Sequence, residues 1–282
     1  MKRVFITARQ YHGLNGSPDE SMYTSSSDAL HVEQRDAQLW IHFSRPTINY
    51  AMLEALTACV LEATADDAIR ALIVNVSADG DDGNDMGPWP DRLRHRHPEG
   101  NHGAGPLVEQ DAIRALRRFM KPTVALMENV VNGLAIDLAA ACDVRIASAT
   151  TTLTDSRIHQ GRTASTGITY MLPKLIGQSQ AMRILLLGET LSAAELRRIH
   201  FIHEVVEDAE FAEHAITLAN QIATMATRAW EVHKMQVVPQ LDLGFDAAMV
   251  HSLGIRQTHV IEDRAEGMRA WREKRDPEFT GR

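Results

Sequence analysis

Cysteine is scarce in this sequence: Cys59 and Cys142 are the only two in 282 residues. Both lie inside apolar runs and read as buried core thiols, which excludes a disulfide framework or a thiolate metal cage. Long hydrophobic runs are missing too, so no segment reads as a membrane span. A clustered positive face is absent. The formal net charge is −8, and the arginines and lysines are scattered apart from residues 92–97. That balance argues against a nucleic-acid module, which is more often basic. Residues 92–97 follow a proline-rich segment and read as a solvated loop, with a phosphate-contacting loop as the other reading. His95, His97 and His102 show no metal-ligand spacing, so no metal is expected. The two buried thiols fit a reducing, cytoplasmic setting, and Met1-Lys2-Arg3-Val4-Phe5 lacks the apolar stretch of a secretory leader. No fixed-period repeat is present.

What is there is an ordinary globular balance of 44% hydrophobic and 23% charged residues, with length enough to bury a sizeable core. Residues 1–35 are polar and read as a loosely ordered arm. Gln38–Phe43 alternates like a strand. Residues 49–64 have helical spacing through Met52, Leu53, Leu56, Val60 and Leu61, and 71–76 form a short apolar strand. Residues 78–106 are rich in Gly, Asp, Pro and His, a long loop of the kind that is usually functional or mobile. A helix over 107–120, a strand over 122–127, a short apolar helix over Leu134–Ala141 and a strand over 143–147 follow. This alternation predicts an α/β core with parallel pairing. Ser192-Ala193-Ala194-Glu195 has the form of a capping box. Residues 201–206 read as a last strand, and 209–226, 228–238 and 244–275 as helices. The predicted organisation is an arm at 1–35, an α/β core at 36–205, and a helical region at 206–282.

Several segments carry a pattern beyond periodicity. They are Ser44-Arg45-Pro46 with Asn49, Lys121-Pro122-Thr123-Val124-Ala125 with Val131-Asn132-Gly133, and Ala141-Cys142-Asp143-Val144-Arg145. Leu172-Pro173-Lys174-Leu175-Ile176-Gly177, Leu187-Gly188-Glu189, and Glu266-Gly267 running to Pro277 and Phe279 complete the set. In this order they resemble the crotonase (enoyl-CoA hydratase/isomerase) superfamily. The resemblance implies a crotonase-like spiral of ββα turns with a helical C-terminal region, assembled as a homotrimer or homohexamer. It implies a small-molecule substrate, an acyl-CoA, with coenzyme A as part of the substrate and no separate cofactor. It also implies the family's shared chemistry, in which two backbone N–H groups stabilise a thioester enolate. No nucleic-acid or membrane partner is expected.

Charge that develops on an oxyanion needs donors aimed at it. By the resemblance, one N–H comes from the loop Asp82-Gly83-Asn84-Asp85, with Asn84 as the donor and Gly83 letting the backbone approach the ligand. The family's second donor belongs to a glycine run after its VNG turn. Matched at Val131-Asn132-Gly133, this sequence reads as shorter there and without the run, and Ile136 becomes the candidate donor, with Asp137 as the other choice. The family's hydratases also carry two glutamates. The first matches Asp137, and the second falls at Arg157, a poor general base. Asp155 and His159 flank Arg157 and offer acid–base chemistry instead. In an extended segment 155, 157 and 159 share one face, where Arg157 would grip a substrate carboxylate, or the three form a salt-bridge cluster. Glu109, with Asp111, starts the helix after the long loop, as a catalytic side chain or as a complement to the helix dipole. Met86 and Trp89 are candidate pocket residues. Lys234 and the basic stretch Arg269, Arg272, Lys274 and Arg275 are candidates for contact with the nucleotide and its phosphates, and Asp143 reads as structural.

The leading expectation is therefore an enzyme acting on an acyl-CoA or related thioester through an enolate. It would be an isomerase, lyase, decarboxylase or hydrolase rather than a standard hydratase. Two others stand beside it: a CoA-independent C–C bond hydrolase of a diketone using His159 and aspartates, and a catalytically degenerate binding or assembly subunit.

Overall fold

A computed structural model describes residues 24–26, 29–79 and 105–282 of the chain. The elements are β1 (Thr24–Ser26), β2 (Leu30–Arg35), β3 (Gln38–Phe43), α1 (Tyr50–Ala65), β4 (Ala71–Asn75), β5 (Ala78–Asp79), α2 (Gly105–Arg118), β6 (Thr123–Met127), β7 (Val130–Asn132) and α3 (Leu134–Ala141). Then come β8 (Val144–Ser148), β9 (Thr152–Thr154), a 3-10 turn (Ile158–Gln160), α4 (Ile168–Ile176), α5 (Gln178–Leu185), β10 (Leu191–Ser192), α6 (Ala193–Arg198) and β11 (Glu204–Val206). Four helices close the chain: α7 (Phe211–Thr224), α8 (Thr227–Gln240), α9 (Phe245–Thr258) and α10 (Asp263–Glu273).

The strands form a larger sheet ordered β1-β2-β3-β4-β6-β8-β11 and a smaller one ordered β10-β9-β7-β5. From β3 to β11 the larger sheet is parallel. Each turn of the chain leaves a strand in the larger sheet, adds a short strand to the smaller one, and returns through a helix: β4-β5-α2, then β6-β7-α3. That is a spiral of ββα turns, followed by a helical C-terminal region. The larger sheet is covered on both faces, as parallel sheets are. Leu72 and Val74 of β4 face α1, α2 and α3, whereas Ala71 and Ile73 face Phe211, Ala215 and Ala219 of α7.

Local chemistry sets the helix ends. Asn49 Oδ1 accepts from Met52 N–H at 3.0 Å and starts α1, an N-cap in the ordinary sense. Buried Lys121 closes α1 by donating to Ala63 O at 3.0 Å and Asp66 O at 2.6 Å. Arg145 closes α3, reaching Cys142 O at 2.6 Å, and ties it to Phe201 O at 2.6 Å. Cations suit helix C-termini.

Several expectations change. Residues 30–35 are not part of a loose arm: β2 pairs antiparallel with β3 along its whole length, with Leu30 and Val32 buried. The helix expected over 244–275 is two helices, because His259 leaves the helical conformation at φ −118°, ψ 116°. Ser192 caps α6 by accepting from Glu195 N–H at 3.3 Å. The Glu195 carboxylate answers Arg183 and Arg198.

Candidate active site

α3 lies at the centre of the site, and each of its residues from Leu134 to Ala141 is buried. The chain enters it from β7 through Gly133, whose φ of 54° and ψ of −115° suit a residue without a side chain. Asp137 sits in mid-helix among Leu, Ala and Ile, fully buried. A carboxylate there requires partners, and it has them. Arg157 Nη1 donates to Asp137 Oδ2 at 2.8 Å and Nη2 to Oδ1 at 2.9 Å. The Thr166 hydroxyl donates to Oδ2 at 2.5 Å. The same guanidinium holds Asp155, Nε to Oδ1 at 2.8 Å and Nη2 to Oδ2 at 2.9 Å. Asp155, Arg157 and Thr166 are themselves buried.

Burial pushes the Asp137 carboxyl up, and its bonds to Arg157 and Thr166 pull against that. Burial also opposes the charge on Arg157, but Asp137 and Asp155 outweigh it and hold the guanidinium protonated far above its ordinary range. The bidentate geometry decides for a charged pair at neutral pH, since charge-assisted fork contacts are the strong class of hydrogen bond.

Asp155 and Arg157 meet as expected, with Arg157 N–H donating to Asp155 Oδ1 at 3.2 Å. His159 does not join them. The chain turns at Ser156–Arg157 and enters the 3-10 turn, so residues 155, 157 and 159 share no extended face. His159 is exposed, its Nε2 3.4 Å from Gly188 O. Arg157 is gripped by two carboxylates of its own chain, which corrects its expected place as an open carboxylate clamp. Gly188 has φ +61°, and a Cβ there would meet His159 Nε2 at 2.3 Å. Gly161 has φ +66° and open space around it. Gly161→Ala is therefore expected to lose only about 1–2 kcal/mol for the left-handed backbone, and Gly188→Ala measurably more. Urea denaturation of both variants checks this, and equal losses would show that His159 yields without resistance.

The oxyanion expectation changes in register. Counted without a gap from Lys121, the glycine of the family's KP…VNG motif falls at Asn129, whose φ is 55°, a setting that glycine takes most easily. Nothing is missing between β6 and α3, and Gly133-Leu134-Ala135 stands where the family has its glycine run. Ile136 N–H donates to Gly133 O at 3.0 Å and is not the open donor. The N–H groups of Leu134 and Ala135 find no acceptor among the described residues. They are the donors a helix start leaves over, at the positive end of its dipole.

Glu109 on α2 is half-buried and accepts from the Ser165 hydroxyl. Ser165 and Thr166, neighbours in the loop between Gly161 and Gly167, thereby link Glu109 to the Asp137 cluster. Sequence reasoning missed both residues. Gly83, Asn84, Met86 and Trp89 lie outside the described residues. Lys234 is not offered to a nucleotide: it is buried and pairs with Asp143 at 2.8 Å, while Asp143 also accepts from Thr123 N–H at 3.0 Å. Arg275 is engaged by Glu266 and Glu273.

The enoyl-CoA hydratase/isomerase family profile matches residues 33–282. The chain belongs to this family. It is 33% identical over 171 residues to the (E)-benzylidenesuccinyl-CoA hydratase of Thauera aromatica, a match covering 58% of this chain and 64% of that protein. It is 28% identical to the 1,2-epoxyphenylacetyl-CoA isomerase of Escherichia coli K12, over 89% of this chain and 97% of that protein. A crystal structure from Streptomyces coelicolor A3(2) that carries the enoyl-CoA hydratase name superposes with a TM-score of 0.80 at 26% identity, covering 95% of this chain and all of that one. No helix among the described residues is long and apolar enough to cross a membrane.

Proposed function

We propose that the chain acts on an acyl-CoA, or a related acyl thioester, through an oxyanion-stabilised enolate, as an isomerase or lyase rather than as a standard hydratase. The observation that carries this reading is the Asp137–Arg157 pair. Adding water across a double bond with two carboxylates needs both of them available, and here the second position is a guanidinium bound to the first. Enolate chemistry needs less: donors for the oxyanion and one group that moves a proton. The N–H groups of Leu134 and Ala135 are suited to the first task. Asp137 is the principal candidate for the second, with Glu109 as the other carboxylate. Asp137 takes up a proton at Oδ1 by loosening one Arg157 bond, so the pair sets how basic it is. Relatives named for a CoA-thioester isomerase and a CoA-thioester hydratase support the substrate class.

The saturation of this cluster also favours a second reading, a non-catalytic binding or assembly subunit. One experiment separates the two. The protein is incubated in D2O with a panel of saturated and unsaturated acyl-CoAs, and α-deuterium uptake and hydration are followed together by mass spectrometry. Exchange at the α-carbon with hydration at least about ten-fold slower is the expected result. Hydration as fast as exchange would sink the isomerase or lyase reading, and binding with neither reaction would establish the non-catalytic one.

A further inference from the structure

We propose that the consecutive hydroxyls of Ser165 and Thr166 form a bracket that positions both carboxylates of this site, Glu109 from α2 and Asp137 from α3. The inference rests on the proton-transfer reading above and deepens it.

The geometry is specific to the loop. Gly161, at φ 66°, ends the 3-10 turn, and Gly167, at φ 90°, starts α4. The loop is thus bounded by two residues in a conformation that other side chains rarely take. Between them Ser165 donates to Glu109 Oε2, and its carbonyl accepts from Gln110 Nε2 at 2.7 Å. The next residue turns the other way, and Thr166 Oγ1 donates to Asp137 Oδ2 at 2.5 Å. One loop step therefore reaches two helices, with a hydroxyl hydrogen aimed at a carboxylate in each case. Thr166 is buried.

Arg157 engages both Asp137 oxygens alike, at 2.8 and 2.9 Å. The Thr166 bond fixes which oxygen lies nearer the loop and leaves Oδ1 as the oxygen with less competition. For Glu109 the Ser165 bond holds Oε2, and the Gln110 contact ties the neighbouring residue to the same loop. Neither hydroxyl needs to touch substrate. Both are positioning residues, acting through the carboxylates they hold.

The test uses the full-length protein and the α-deuterium exchange assay. Thr166→Val keeps shape and removes the donor; Ser165→Ala does the same on the other side. Each is expected to lower kcat for exchange roughly 10–100-fold, the scale of one hydrogen bond to a charged group, with KM changed less than about two-fold. Thr166→Ser restores the rate, because it restores the donor. Unchanged kcat in both variants, or no rescue by Thr166→Ser, overturns the bracket. Carboxyl 13C resonances provide a readout independent of turnover. Thr166→Val should move one Asp resonance and Ser165→Ala one Glu resonance, with the former restored in Thr166→Ser. If the wild type exchanges nothing while these shifts occur, the bracket stands and the enzymatic reading fails. If the resonances stay in place, the bracket fails whatever the activity.

Discussion

Arg157→Leu is expected to lower the free energy of unfolding by about 3–5 kcal/mol, the scale for removing one partner of a buried ion pair. The guanidinium makes four contacts of 2.8–2.9 Å to Asp137 and Asp155. Without it, two buried carboxylates face each other with no cation between them. One or both must take up a proton or draw in water, and neither option recovers the lost bonds. The loss is conditional on the carboxylates remaining. With Asp137→Leu and Asp155→Leu added, the apolar triple variant should recover most of the stability, since replacing a whole buried cluster is often near neutral. Urea unfolding of the single and triple variants checks both statements. A single variant within 1 kcal/mol of wild type would show that the three residues are not an ion-paired unit. The same geometry changes how Asp137→Asn is read. An amide donates where Arg157 needs an acceptor, so lost activity in that variant reports on chemistry only if folding is measured alongside it.

The fold was legible where burial imposes a period. Leu39 and Ile41 of β3, the apolar stripe of α1 and the run of β4 all announce themselves, and the crotonase-like motifs placed the ββα order. The strands of the smaller sheet are two or three residues long, too short to show any period. β2 was hidden because Leu30 and Val32 alternate with His31 and Glu33 at the edge of a polar stretch. The break between α9 and α10 carries no glycine or proline, so composition gave no stop signal at His259.

The site was legible in its residue types and not in its pairings. Asp137 and Arg157 were each identified, but their contact spans 20 positions and depends on where a short strand and a turn deliver the guanidinium. The register before α3 is ambiguous in the sequence for a local reason. Gly133 invites a match to a glycine turn, whereas the left-handed residue of that turn is Asn129, and asparagine is among the few other residues that accept the conformation. Ser165 and Thr166 look like ordinary loop residues. What marks them is the pair of positive-φ glycines on either side, and a sequence does not show the sign of φ.

Leu134→Pro is expected to lower kcat for α-proton exchange by about 10²–10³-fold, the effect of deleting one oxyanion donor. Leu134 is the first residue of α3, the position where proline is best tolerated because its missing N–H has no partner within the helix. The preceding Gly133 lies outside the right-handed helical region, the region that a following proline disfavours. The substitution therefore removes a donor while leaving the helix able to form. It also removes part of a buried side chain, Leu134 being 2% exposed, and that loss has its own consequences for packing. Leu134→Ala isolates them, because it deletes the side chain and keeps the N–H. If the N–H group holds the oxyanion, Leu134→Ala retains most of the kcat of the wild type at a temperature where both variants are folded, and Leu134→Pro does not. The KM for the acyl-CoA should move little in either, since the bond to the oxyanion strengthens as charge develops and contributes less to the ground state. Circular dichroism at the assay temperature establishes that each variant is folded. Equal losses of kcat in the two would mean that packing around α3, and not its leading N–H group, limits the rate, and the oxyanion role of the helix start would have to be given up.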